Sequence, residues 1–321
     1  MPHPFPKPLP TGWRKRSATV ADVGAVHRLV TACESDLQGA AATDLDRIAA
    51  DLSVPGLDLA SDTLLVCDSD GELTGWSRVK GRRATVHVHP DHRALGLGSA
   101  LLAWSEARAR QSGGDRLAQT VSDSDHAAIA LLRSRGYAPL VTEWLLEIAL
   151  PVAPEVSEPP TGVTVRPFRA GDERAAHQLT EDAFDEWQQR RKTYAEWARH
   201  TVERTTFEPD ASPVALNGDQ MVGAVLSLDV PGTSEGHVER VAVRHDHRHR
   251  GIARLLLREA FRAFHRRGKQ TCALWTHSET GALSLYERIG MTVQRSSTVY
   301  SKTFTGGVSP RGLGGSASTA P

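Results

Sequence analysis

The sequence predicts a mixed α/β (α+β) fold built as two tandem domains. Three observations support this prediction. The chain of 321 residues is long enough for two domains, one block of sequence recurs at a constant separation, and each copy places a glycine-bearing loop between a strand pattern and a helix pattern. We expect each copy to form a mixed, mostly antiparallel sheet flanked by helices.

The recurring block reads VHVHPDHRALGLGSALL at 86–102 and VAVRHDHRHRGIARLLL at 241–257. Eight positions are identical at an offset of 155, among them Asp91 with Asp246. A second pair, LLRSRGY at 131–137 and LYERIGM at 285–291, matches at an offset of 154. Blocks that keep nearly the same separation indicate duplication of a whole domain.

Composition sets the predicted domain boundaries. Residues 151–161 are proline-rich and are predicted to form a linker between an N-terminal domain at 14–150 and a C-terminal domain at 162–304. The proline-rich start, 1–13, is predicted to be flexible, and the Gly/Ser-rich tail, 305–321, is predicted to be disordered.

Each copy shows the same order of predicted elements: a short strand, one or two helices, three strands, the loop, a long helix and further strands around a last helix. In the first copy the strands are predicted at 17–20, 63–67, 72–80, 84–89 and 116–121, and the first helices at 21–35 and 43–52. In the second copy the strands are predicted at 163–167, 213–216, 221–228, 237–243 and 271–276, and the first helices at 172–184 and 193–204.

Composition also argues against several classes of protein. Lys plus Arg and Asp plus Glu both number 38, so the formal net charge is zero, whereas a general nucleic-acid or membrane binder needs a basic stripe. Cys33, Cys67 and Cys272 form no CxxC pair, which fits a reducing cytosol. No apolar run approaches the length of a membrane span and no signal-peptide pattern is present, so we expect a cytoplasmic protein.

The loop that opens the long helix reads R-x-x-G-x-G/A, at 93–98 and at 248–253. Small residues at a helix start let a diphosphate approach backbone amides that lack intrahelical partners and lie at the positive end of the helix dipole. Arg248, Arg250 and Arg254 add positive charge in the second copy. A P-loop lysine and the third glycine of a dinucleotide fingerprint are both missing from the pattern, so it predicts a different kind of diphosphate site.

These loops, together with TGALSLYERIGM at 280–291, resemble the two signatures of the GCN5-related N-acetyltransferase (GNAT) superfamily, and the tandem layout resembles that of mycothiol synthases. The resemblance covers nearly the whole chain outside the termini and linker. It implies a GNAT fold in each copy, acetyl-CoA as co-substrate, and N-acetyltransferase activity by direct attack of an amine in a ternary complex.

The resemblance also implies a cofactor site. The strand before the loop would pair through its backbone with the pantetheine arm, and the loop amides would hold the diphosphate. In the second copy the expected residues are Val241, Ala242, Val243, Arg248, His249, Arg250, Gly251, Ile252, Ala253 and Arg254. Their expected counterparts in the first copy are Val88, Arg93, Gly96 and Gly98.

Acetyl transfer to an amine needs a polarised thioester carbonyl, an acceptor for the amine proton and a proton donor for the thiolate. A backbone N–H can polarise the carbonyl. The resemblance gives the role of acid to Tyr286, in the second signature. Glu239 and His237 are the alternatives for the base, because strand alternation is expected to place both on the same face as Val241.

The first copy lacks these side chains. At the matching positions stand Leu132 for Tyr286, Ala84 for Glu239 and Arg82 for His237. We therefore predict that the C-terminal copy is catalytic. The N-terminal copy is predicted to bind acyl-CoA weakly or structurally and to help shape the acceptor site.

The second copy departs from the family pattern at two positions. Glu279 replaces a frequent Asn, which is unfavourable for a CoA contact, and Met291 replaces a Phe in a predicted core position. His245, His247 and His249 alternate as chelating histidines can, but the surrounding cations argue against a metal site, and none is expected.

The predicted acceptor is a primary amine on a small molecule. A peptide or protein amine and a mycothiol-like cysteinyl amine are alternative acceptors, and a non-catalytic acyl-CoA-binding sensor or scaffold is the alternative function. We expect no nucleic-acid or membrane partner, and a monomer or a homodimer.

Overall fold

The computed structural model describes residues 11–41, 43–185 and 190–304. The chain divides into two compact units, and neither is one continuous half. Unit 1 contains the chain up to Leu140 together with the segment from Ser297 onward, and unit 2 runs from Val141 to Ser296. The last strand of each half therefore belongs mainly to the unit formed by the other half. The boundaries predicted from composition stay a prediction, and those for 1–10 and 305–321 lie outside the described residues.

Unit 1 is a mixed sheet with helices. Its strands are β1 (Arg14–Arg16), β2 (Thr63–Cys67), β3 (Leu73–Lys80), β4 (Arg83–Val88), β5 (Arg116–Ser122) and the second part of β12 (Thr292–Thr303). Its helices are α1 (Val23–Gln38), α2 (Leu45–Leu52), α3 (Leu59–Asp62), α4 (Leu97–Gln111) and α5 (His126–Ser134). The strand order is β1-β2-β3-β4-β5-β12, with β4 and β5 parallel and the other neighbours antiparallel.

Unit 2 repeats this plan. Its strands are the greater part of β6 (Ala138–Ala149), β7 (Val163–Pro167), β8 (Pro213–Asn217), β9 (Gln220–Asp229), β10 (Glu235–Val243) and β11 (Thr271–His277). Its helices are α6 (Glu173–Phe184), α7 (Tyr194–His200), α8 (Ile252–Arg266) and α9 (Leu283–Arg288). The order is β6-β11-β10-β9-β8-β7, with β10 and β11 parallel and the others antiparallel. The predicted fold class is confirmed.

The first predicted strand, 17–20, is wrong. The strand pairs instead at Arg14–Arg16. Asp22 accepts hydrogen bonds from the N–H and the hydroxyl of Thr19, at 2.8 and 2.9 Å, and pairs with Arg16, so the chain turns into a helix here. Arg166 and Asp172 form the matching ion pair in unit 2, at 2.7 Å.

Helix α8 covers one face of the unit 2 sheet. Its apolar residues recur at helical spacing, and Ile252, Leu256 and Phe264 are almost fully buried. Gly236 on β10 permits this close packing, since a Cβ there would lie 2.5 Å from the Phe264 ring. Burial of each large apolar side chain contributes roughly 2–3 kcal/mol. Helix α8 is thereby fixed against β10, which sets the position of the loop between them.

Helices α6 and α7 cover the opposite face. Trp197 of α7 is buried with Leu179 of α6 against the strand residues Ala224 and Ala242. Thr193 begins α7 with a reciprocal capping box, in which its side chain accepts from the Glu196 N–H and Glu196 accepts from the Thr193 N–H. The second half of β10 therefore has a helical layer on each side.

In both units the parallel pair of strands separates early. In unit 2, β10 pairs with β11 from Glu235 to Val238 and then continues beside β9 alone. In unit 1, β4 pairs with β5 at Arg83 with Ala118. The separation leaves one backbone edge of β10 free of strand pairing, and the loop before α8 lies at the end of that edge.

Candidate active site

A cleft of about 720 Å³ opens in unit 2 where β10 and β11 separate. Its walls are the second half of β10, the end of β11, the first turn of α8 and the segment 280–288. The predicted site residues that line it are Glu239, Val241, Ala242, Val243, Arg248, His249, Gly251, Ile252, Ala253, Arg254 and Tyr286. His237 and Arg250 were predicted with them and lie outside this lining.

The loop before α8 has a backbone conformation that recurs in unit 1. His249 and Gly251 have φ of 62° and 82°, and Ala94 and Gly96 have φ of 60° and 85°. Among the residues that the structure describes, Ala94 and His249 are the non-glycine residues with positive φ. A left-handed residue directly before a helix start turns successive N–H groups to one side and forms an anion-binding concavity. Both copies hold this strained turn, as functional loops often do.

The arginines of the loop have different roles. Arg248 donates to the Val243 carbonyl at 3.3 Å and to the Ala183 carbonyl at 3.4 Å, and thus ties the loop to β10 and α6. Arg250 donates to a backbone carbonyl at 3.3 Å. Arg254 makes no side-chain hydrogen bond or ion pair with a described residue. Arg254 is therefore the guanidinium best placed to bind an external phosphate.

The free edge of β10 carries backbone groups that face the cleft. The Arg244 N–H donates to the Val222 carbonyl of β9 at 2.9 Å. Antiparallel pairing alternates, so the N–H and C=O groups of Val243 and Val241 point away from β9, towards the space that β11 has left. This edge can pair with an extended, amide-containing ligand.

A β-bulge at Glu239 changes which residues of β10 share a face. The pairing with β9 shifts by one residue at this point. Val238 before the bulge and Val241 after it both pack in the core under α8. Alternation on either side then places His237 and Arg240 towards the α6–α7 layer. The prediction that His237, Glu239 and Val241 share one face is wrong, because it assumed an unbulged strand.

Tyr286 lies at the wall of the cleft, and its side chain is largely buried, with 7% of the residue exposed. Its hydroxyl makes no hydrogen bond with a described residue. Burial raises the pKa of Tyr286 to about 12, so the phenol keeps its proton at neutral and mildly alkaline pH. Its carbonyl accepts from the Met291 N–H at 3.0 Å, which fixes the turn after α9.

The two alternatives for the base are neighbours in different surroundings. His237 Nε2 lies 3.8 Å from Glu239 Oε2. Burial lowers the pKa of His237 and outweighs the opposite effect of Glu239, so the ring is neutral at neutral pH. Glu239 lines the cleft and also a second cavity of about 480 Å³ on the α7 side. Glu239 therefore stands where the two cavities meet.

In unit 1 the counterparts of three groups that line the cleft of unit 2 have other partners, whereas in unit 2 Arg248 donates to the Val243 carbonyl. Arg93 forms an ion pair with Asp36 at 2.6 Å. The Cys33 thiol donates to the Val88 carbonyl at 3.3 Å, the counterpart of the Val243 carbonyl. Leu132 is buried in an apolar cluster of unit 1.

The strand β4 pairs with β3 without a register shift over its whole length. Ala84 consequently packs under α4 as Val238 packs under α8. Glu239 is the extra residue of the bulge and has no counterpart in β4. The predicted matches of Ala84 with Glu239 and of Arg82 with His237 are therefore wrong by one position.

Three further side chains differ in their part in the site. His247 is buried and hydrogen-bonds with Asp246 at 2.8 Å and Asn217 at 3.3 Å, so it stabilises the loop. In the described part of the chain, no group of three or more His, Cys, Asp or Glu side chains is arranged to hold a metal ion. Glu279 does not line the cleft, and Met291 is buried in the core as expected.

Arg240 and Trp275 also line the cleft, although neither was predicted from the sequence. Trp275 is 52% exposed on a strand whose neighbouring residues are buried. Arg240 has a buried Nε without a hydrogen-bond partner in the described chain. A charged residue inside an apolar strand pattern could have indicated Arg240, since such a residue needs a partner.

Comparison with known proteins identifies the family. The sequence model of the Acetyltransferase (GNAT) family matches residues 26–137 and 174–291, which is more than half of the chain. This chain belongs to the GNAT family. The predicted activity, acetyl-CoA-dependent N-acetylation, and the predicted co-substrate, acetyl-CoA, are confirmed. The family model matches both copies, so the chain has the predicted tandem organisation of two GNAT domains.

Three relatives illustrate the similarity. A mycothiol acetyltransferase from Geodermatophilus obscurus is 30% identical over 247 residues, 71% of this chain and 78% of that protein. A GCN5-related N-acetyltransferase structure from Sphaerobacter thermophilus has a TM-score of 0.76 at 30% identity and covers 92% of this chain and 97% of its own. A tandem GNAT protein from the clavulanic acid biosynthesis pathway shares the fold, with a TM-score of 0.67 at 17% identity over 91% and 98% of the chains.

Proposed function

We propose that unit 2 transfers the acetyl group to a primary amine on a small molecule, by direct attack in a ternary complex. The observation that carries this proposal is the meeting of four features in one cleft: the anion-binding loop, the free edge of β10, Tyr286 and Glu239. Unit 1 repeats the loop but not the bulged carboxylate or the tyrosine. The assignment of the reaction to unit 2 follows from this difference.

The residues of the cleft suit acetyl-CoA. The amides at the start of α8 and the Arg254 guanidinium would hold the diphosphate, and the edge at Val241 and Val243 would pair with the amide groups of the pantetheine arm. The cofactor supplies an acetyl group activated as a thioester. A cleft of about 720 Å³ is of the size that such ligands occupy.

Three groups of the chain would promote the transfer. The Val241 N–H donates a hydrogen bond to the acyl oxygen and stabilises the negative charge that develops there. The Glu239 carboxylate accepts the proton that the amine loses, directly or through a water, with the neutral His237 ring as the alternative acceptor. Tyr286 donates a hydrogen bond and then its proton to the departing thiolate.

The identity of the acceptor amine, the location of the protein and its oligomeric state are further proposals. The name of the Geodermatophilus relative supports a cysteinyl amine of the mycothiol type, and a peptide or protein amine is a further alternative. No helix in the described residues has both the length and the apolar character to cross a bilayer. A cytoplasmic location, a monomer or homodimer, and acyl-CoA binding by unit 1 all stay predictions.

Free-thiol release from acetyl-CoA, measured with and without a panel of amines, tests the proposal. We expect release that depends on an amine. Glu239→Gln should lower kcat/KM for the amine about 100-fold, and His237→Gln less than about tenfold. A larger loss of kcat/KM in His237→Gln than in Glu239→Gln would make His237 the proton acceptor in place of Glu239. Tight acetyl-CoA binding in calorimetry without thiol release for any amine would favour the non-catalytic alternative.

A further inference from the structure

The second cavity, of about 480 Å³, is lined mainly by basic side chains of unit 2. Most of its lining comes from 190–204, around α7, and Glu239 and Arg240 of β10 complete it. Five of the lining residues are Lys or Arg and two are Glu. The cavity therefore has a surplus of positive charge.

One ion pair removes only part of this charge. Arg190 and Glu196 form two hydrogen bonds, at 2.6 and 2.9 Å, so each neutralises the other. Arg199 donates to a backbone carbonyl at 3.1 Å, which leaves its charge in place. Glu239 is then the single remaining carboxylate of the lining for four cationic side chains.

Three of these cations have little to hold them in the protein. Lys192 and Arg204 make no side-chain hydrogen bond or ion pair with a described residue. The buried Nε of Arg240 lies 4.0 Å from Glu239 Oε1 and has no hydrogen-bond partner in the described chain. Lys192 and Arg240 are partly buried, whereas Arg204 is exposed. A partly buried cation that lacks a partner is costly, and an anion beside Lys192 and Arg240 would remove that cost.

The cavity adjoins the place where the amine must react. Glu239 and Arg240 line both this cavity and the cofactor cleft. An amine that gives its proton to Glu239 would therefore extend towards Lys192 and Arg204 with the rest of its molecule.

We propose that the acceptor carries, besides its amine, an anionic group, and that Lys192, Arg204 and Arg240 bind that group. The inference rests on the proposed acetyl transfer in unit 2 and names the class of substrate. The shared chemistry is that of a carboxylate or a phosphate, since both match the guanidinium and ammonium donors of the cavity.

Matched pairs of amines test the inference, with thiol release as the readout. O-phosphoethanolamine is compared with ethanolamine for the phosphate, and γ-aminobutyrate with butylamine for the carboxylate. We expect kcat/KM to be at least about tenfold higher for the anionic member of one or both pairs, and its KM to rise with salt. The pair with the larger ratio identifies the preferred anion.

Two variants locate the anion. Arg204→Gln and Lys192→Met should each reduce the ratio between anionic and neutral amine about tenfold, because each removes one charge-assisted contact. Arg266→Gln, an exposed arginine at the end of α8, removes the same charge outside both cavities and should leave the ratio unchanged. Acetyl-CoA affinity should remain at the wild-type value in all three proteins, which shows that they are folded.

Calorimetric titration of each amine into the CoA-bound protein gives a readout independent of turnover. Tighter binding of the anionic amine, lost in Arg204→Gln but not in Arg266→Gln, would support the inference. Equal binding and equal kcat/KM within both pairs would overturn it while acetyl transfer itself stands. Absence of thiol release with every amine would overturn the proposed function, and this inference with it.

Discussion

The two units hold nearly the same loop but different strands in front of it. The loop torsions at Ala94 and Gly96 match those at His249 and Gly251 within a few degrees. The strand before the loop is regular in unit 1, whereas in unit 2 it contains a bulge at Glu239. The same loop conformation therefore occurs both with and without a strand that presents a carboxylate.

The difference has a simple physical basis. The loop conformation is local, since a glycine with positive φ and a following helix start are enough to maintain it. A bulge requires one inserted residue, and it re-aims the side chains on either side of it. In unit 2 the result is a carboxylate between the cleft and the basic cavity, whereas in unit 1 Ala84 of the corresponding strand packs in a core.

Replacement of Tyr286 should have the largest effect. Tyr286→Phe removes the proton donor for the thiolate, so we expect kcat to fall roughly 10²–10³-fold with acetyl-CoA affinity nearly unchanged. Steady-state kinetics and calorimetry measure the two quantities. Tyr300→Phe is the matched control, because Tyr300 is also buried but belongs to unit 1.

Unchanged kcat in Tyr286→Phe, or an equal loss in Tyr300→Phe, would contradict the assignment of the reaction to unit 2. The pH profile sharpens the test. Since the pKa of Tyr286 is about 12, the phenol stays protonated, and wild-type kcat should show no loss from this group up to about pH 10.

Much of the fold followed from the sequence. The repeat predicted two copies of one plan, and the loop pattern and helical spacing placed α4 and α8 correctly. These features are local, or they are visible as identical residues at a fixed offset. Tyr286 was predicted in the same way, from its place in a motif, and the structure places it at the wall of the cleft.

Three features could not be found in this way, because each depends on how separate strands or segments are placed in space. The bulge at Glu239 is seen only in the register against β9, and a one-residue insertion in an apolar strand leaves no mark on a single sequence. The terminal strands β6 and β12 join the sheet of the other half, although each follows its own copy along the chain. The basic cavity forms between the segment 190–204 and the bulge of β10, which are distant in the sequence and meet only in the folded chain.

The matched glycines offer a smaller effect that compares the two loops directly. Gly251→Ala and Gly96→Ala place the same methyl group at φ of 82° and 85°, which costs roughly 1–2 kcal/mol in either loop. If unit 2 holds the cofactor, Gly251→Ala should weaken acetyl-CoA binding about tenfold in calorimetry, and Gly96→Ala should not. A similar loss in both variants would mean that unit 1 also binds acyl-CoA at its loop.

The smallest expected effect concerns two half-buried histidines, His87 on β4 and His237 on β10. Burial lowers the pKa of each below its ordinary value near 6.5. Below about pH 6.5 the unfolded chain therefore binds more protons than the folded one, and the free energy of unfolding falls as the pH decreases towards the folded-state pKa. Each histidine should account for a small part of the loss of stability in acid.

Urea unfolding at about pH 7.5 and about pH 5.5 measures this loss. His237→Gln and His87→Gln cannot take up the proton, so each should reduce the acid loss of stability, and the double variant should reduce it most. The two histidines have different acidic neighbours. Glu34 and Asp125 oppose the effect of burial on the pKa of His87, whereas Glu239 does so for His237. A difference in acid loss between the two single variants would therefore compare the two units directly. A double variant with the full wild-type loss would assign the acid sensitivity to other groups.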